Sequence, residues 1–69
     1  MTIQTREIAL EFMVEMLEYK REIERSRFKE FFRTNQLGIE YEICLSNLDW
    51  LALRLKYYRN ELKKEKEQI

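Results

Sequence analysis

Residues 41–62 read YEICLSNLDWLALRLKYYRNEL, and within that run Tyr41, Cys44, Leu48, Leu51, Leu55, Tyr58 and Leu62 are spaced alternately by three and four. Such spacing keeps apolar side chains on one stripe of an α-helix and is the pattern of a coiled-coil seam. Ile69 falls in the same phase. A stripe of this kind needs a partner, and the segment on the N-terminal side supplies one. Ala9, Phe12, Met16, Tyr19 and Ile23 repeat the alternation, and the register then passes to Phe28 and Phe31.

Between the two runs lies Asn35-Gln36-Leu37-Gly38. Gly38 is the only glycine and proline is absent, so nothing else in the chain breaks a helix. The reading is a single all-α domain over 1–69, an antiparallel two-helix hairpin with helix 1 at about 5–36, a turn at 35–38 and helix 2 at about 39–66. Thr2 or Thr5 is expected to cap helix 1. Gly38 is expected to end it in the left-handed conformation, with Ile39 folding back onto the last turn.

Charge order agrees with the antiparallel pairing. Glu7, Glu11, Glu15 and Glu18 open helix 1 and Lys20, Arg21, Arg25, Arg27, Lys29 and Arg33 follow; Glu40, Glu42 and Asp49 open helix 2 and Arg54, Lys56, Arg59, Lys63, Lys64 and Lys66 follow. Folding back at Gly38 sets acid beside base at both ends. With a turn centred near Leu37, Ile23 is expected near Leu51, Tyr19 near Leu55, Met16 near Tyr58 and Phe12 near Leu62.

Pairing those seams leaves apolar residues over: Leu10, Val14, Leu17, Phe28 and Phe32 on helix 1, and Ile43, Trp50, Leu53 and Tyr57 on helix 2. Monomers rarely expose large contiguous apolar patches. A short chain with one cysteine and no histidine has neither an internal disulfide nor a Cys/His zinc cluster to stabilise it, and association is what remains. These nine residues are therefore expected to form an interface, most simply in a homodimer that makes a four-helix bundle, with a protein partner as the next occupant.

Catalysis has little to build on. Histidine is missing, no glycine-rich phosphate loop exists, and Cys44 sits on the seam as a small apolar residue. Glu7, Glu11, Glu15, Glu18 and Glu22 read as a solvated face rather than a metal site, and no cofactor or metal is expected. Leu45-Ser46-Asn47-Leu48-Asp49 is similar to the Ser-Gln-Glu-Leu-Asp signature of small helical-hairpin phosphatases of sporulation aspartyl phosphates. It is one residue short, which turns Asp49 by about 100° relative to Ser46, so the active face is not reproduced and Asp49 reads as a surface charge.

The function these features favour is a non-enzymatic protein–protein interaction module, a small homodimeric regulator or inhibitor. The alternative is a nucleic-acid-binding hairpin dimer using Arg21, Arg25, Lys29 and Arg33, diluted by Glu22, Glu24 and Glu30 and by a net charge of zero. No run approaches the roughly 20 apolar residues of a membrane span, and Met1 is not followed by a signal-like segment; a cytoplasmic location is expected.

Overall fold

In the computed structural model, which describes residues 2–67 and the side chains of 5–67, the chain is two helices, α1 (Thr2–Arg33) and α2 (Ile39–Glu67), folded back on each other into a rod of 50 × 14 × 13 Å. The expected side-chain cap from Thr2 and the phase of Ile69 lie outside the described side chains; Thr5 lies inside α1. Helix 1 begins three residues before the expected start at Thr5 and stops three residues before Gln36.

The reason for the early stop is at Asn35, whose φ of 60° is the left-handed value expected of Gly38. Asn35 N–H donates to the Phe32 carbonyl at 3.2 Å and Gln36 N–H to the Phe31 carbonyl at 2.8 Å, the paired bonds of a Schellman motif. Asparagine tolerates this conformation better than other side-chain-bearing residues. Gly38 instead precedes α2 with negative φ, its carbonyl accepting the first helical bond from Glu42 N–H at 3.2 Å. Ile39 is exposed and does not fold back onto α1.

A pair of substitutions tests this exchange of roles. Asn35→Ala is expected to cost about 1 kcal/mol, because alanine pays the left-handed penalty. Gly38→Ala is expected to change stability by no more than about 0.5 kcal/mol, since open space surrounds its Cβ position and the lost N-cap preference offsets the gain from a stiffer unfolded chain. Urea melts would separate the two, and a larger loss at Gly38 would contradict the turn.

The seam of α2 is as its periodicity predicts: Cys44, Leu51 and Leu55 are buried, with Tyr41, Leu48, Tyr58 and Leu62 half-buried. The seam of α1 differs from expectation. Leu10 and Leu17 are the buried residues, and Val14, Arg21, Glu24, Phe28 and Phe31 continue their line half-buried. Phe12, Met16, Tyr19 and Ile23 are exposed. Leu17 packs with Leu51 and Leu55, and Val14 and Tyr58 close over that cluster. Toward the turn, Phe28 stacks on Tyr41 with ring centroids 5.3 Å apart.

Leu10, Val14, Leu17 and Phe28 are thus covered by the chain's own second helix, which corrects the expectation that they form an outward interface. The physical reason is continuity. Their three-four alternation runs through Arg21 and Glu24 to Phe31 without a shift of register, so one straight contact line reaches from the open end to the turn.

Candidate functional site: an apolar face on one side of the hairpin

On a helix that turns about 100° per residue, Lys20 and Ile23 fall to one side of the buried Leu17 and Glu18 to the other; Asn47 and Trp50 fall to one side of Leu51 and Arg59 to the other. The two helices combine these sides consistently. Lys20, Ile23, Glu24, Asn47, Trp50 and Leu51 line a common open groove of about 350 Å3, and a second of about 200 Å3 continues toward the turn between Phe31 and Ile43. On the opposite side Glu18 pairs with Arg59 at 2.6 Å and Glu11 with Lys66 at 3.9 Å.

The hairpin therefore has two unlike faces. Seven-residue spacing extends the groove face from Ile23 to Met16 on α1, and from Trp50 to Ile43 and Tyr57 on α2; Phe12 adds one more turn. All six are exposed, Phe12 by 60%, Trp50 by 52% and Tyr57 by 54%. Arg54 lies over the Trp50 ring at 5.4 Å from its centroid, a cation–π contact that partly covers it.

Of the sequence-predicted interface residues, Ile43, Trp50 and Tyr57 share this face. Leu53 is exposed but points away from α1, at the outer edge of α2. Phe32 is exposed and stacks on Phe28 at 6.4 Å, on the salt-bridged side of the seam. Sequence reasoning placed Phe12, Met16 and Ile23 inside the hairpin and so missed them as surface. Their departure from a single register after Ile23 was the signal that could have found them.

The ion pairs qualify the charge argument. Those crossing between helices among the described residues are Arg6–Glu65, Glu11–Lys66 and Glu18–Arg59, all in the open half. Glu65 is buried beneath Arg6. In the turn half the bases bind acids on their own helix: Arg25 with Glu22, Arg27 with Glu24 and Arg33 with Glu30, the last at 2.7 Å. The Arg33 guanidinium holds the exposed Glu30 carboxyl below its ordinary pKa, first through the hydrogen bond and then through charge.

Two basic residues proposed for nucleic acid are thus paired along α1, and Arg21 sits in the seam with a buried Nε that has no hydrogen-bond partner among the described residues. Lys29 is exposed.

Cys44 lies 3% exposed on the seam, and its thiol donates to the Glu24 carbonyl at 3.1 Å. Burial pushes the thiol pKa up, and the Glu24 side chain adds to the shift through hydrogen bonding and its negative charge. A shielded, protonated sulfur is a poor nucleophile. Among the described residues no cluster of three or more metal-ligating side chains occurs, and no helix is long and apolar enough to cross a membrane. No protein-family model, curated protein or solved structure matches this chain.

Proposed function

We propose that the chain is a non-enzymatic interaction module: a helical hairpin that homodimerises through its groove face into a four-helix bundle and presents its salt-bridged faces to a protein partner, as a small regulator or inhibitor. The observation that carries this reading is the face formed by Phe12, Met16, Ile23, Ile43, Trp50 and Tyr57, all exposed on a hairpin whose buried hydrophobics among the described residues are Leu10, Leu17, Cys44, Leu51 and Leu55. So small a core rarely holds a chain of this size by itself. A two-helix layer with one apolar face is complemented by a second such layer of equal length, and closed twofold dimers are the commonest way to supply one.

Nucleic-acid binding has less support, because Arg25 and Arg33 are already matched by Glu22 and Glu30. It would show as binding that falls steeply with salt. Sedimentation equilibrium decides the main reading. A particle of twice the 8.7 kDa chain mass at micromolar concentration is expected, and a stable folded monomer there would overturn it.

A further inference from the structure

The central groove and the exposed tryptophan are matched in position and chemistry. Lys20 and Ile23 stand past the midpoint of α1 and Trp50 and Leu51 before the midpoint of α2, so the groove between them lies in the middle third of the rod, on the turn side of its centre. In a closed twofold dimer, features near the axis are the ones that meet their own counterparts. Trp50 stands on the same face as the groove and at the same height. A feature that can reach the equivalent feature on a second copy is self-complementary in a way that one at either pole of the rod is not.

The chemistry of the groove is that of an indole site. Ile23, Leu51 and the ring of the copy's own Trp50 give it apolar walls. Asn47 Nδ2 donates to Glu24 Oε2 at 3.5 Å, which leaves the Asn47 carbonyl oxygen, beside the Glu24 carboxylate, to accept from an incoming N–H. A buried tryptophan needs both an apolar slot and an acceptor for its indole N–H. Lys20 at the rim can lie over the ring as a cation. The face is also large enough: 50 by 14 Å between Cα atoms is on the order of 700 Å2 before side chains are added, against about 800 Å2 per partner in a standard interface.

We propose that in the homodimer Trp50 of each copy enters the central groove of the other, its indole N–H donating to Asn47 or Glu24, and that this reciprocal insertion is the energetic centre of the interface. The inference rests on the homodimeric reading above and specifies how that dimer closes. Trp50 is the chain's only tryptophan, so its fluorescence reports on this site alone.

The test follows Trp50 emission and acrylamide quenching of the unmodified chain across a dilution series, beside sedimentation of the same samples. The expected result is blue-shifted, quencher-protected emission in the dimer, reverting to exposed emission at the dilution where the mass halves. A dimer whose Trp50 stays open to quencher would overturn the insertion while leaving the dimer standing. Absence of a dimer would overturn both. As a second arm, Trp50→Ala is expected to weaken the dimer at least about thirtyfold, the effect of losing a strong interface anchor. An unchanged dissociation constant in that variant would also overturn the proposal.

Discussion

Leu55→Ala is expected to abolish the folded hairpin or to leave it largely unfolded at room temperature. Leu55 is 1% exposed and packs with Leu17 and Leu51 in the buried cluster between the two helices. Truncating such a leucine removes the transfer free energy of its methyl groups and leaves a cavity, together costing about 2 to 5 kcal/mol. Domains in general hold only about 0.05 to 0.15 kcal/mol per residue, so the loss is of the same order as everything this chain has. Leu53→Ala, two positions away and 70% exposed, is the control and is expected to stay within about 0.5 kcal/mol of the parent. Thermal melts followed by helical circular dichroism would compare the two. Equal losses at both positions would mean that α2 meets α1 along a different stripe.

The double substitution Met16→Glu with Ile23→Glu is expected to separate association from hairpin pairing. Both residues are exposed on the groove face and lie outside the Leu10–Leu17 seam. Dimerisation would bury two new carboxylates per copy without partners, and each such burial costs several kcal/mol unless the group stays solvated or takes up a proton. The dissociation constant should rise by at least about a hundredfold, about 2.7 kcal/mol. The remaining monomer should show less helix than the parent dimer, because little core is left without the second copy, and that helix content should not vary with concentration. An intact dimer in this variant would remove the groove face from the interface.

These two experiments bear on the part of the structure that the sequence conveyed least well. In α2 the apolar seam was legible because Leu48, Leu51, Leu55 and Leu62 are long aliphatic residues in one unbroken phase, and the hairpin followed from the single interruption at 35–38. Helix 1 carries two apolar stripes with the same alternation, and periodicity alone does not rank them. Phe12, Met16, Tyr19 and Ile23 have the larger side chains, whereas the true seam is interrupted by Arg21 and Glu24, whose charges argue against burial. What decides the matter is tertiary: α2 needs a contact line that stays straight as far as Phe28 and Tyr41, and the seam accommodates the half-buried Arg21 and Glu24 because their long stems pack while their heads reach out.

The turn was misjudged in a related way. Glycine is the usual left-handed residue, but Asn35 can serve too, and using it ends α1 early enough to shift the pairing, so that Leu17 rather than Tyr19 packs on Leu55. Of the candidate face, Ile43, Trp50 and Tyr57 were readable because they recur every seven residues outside a clear seam. Their neighbours on α1 were not, since they could be assigned only after the seam was known.

The clustering of cross-helix ion pairs in the open half has a mechanical consequence. Arg6 and Glu65 hold the two described ends of the chain side by side. A force drawing those ends apart loads the contacts one level at a time, like a zipper: first Arg6–Glu65, then Glu11–Lys66, then Glu18–Arg59, with the Leu17–Leu51–Leu55 cluster next and the Asn35 turn last. Exposed ion pairs are individually weak, at about 0 to 1 kcal/mol each. The rod therefore yields to peeling at low force from its open end, yet resists sliding of one helix along the other, which would have to break every level together.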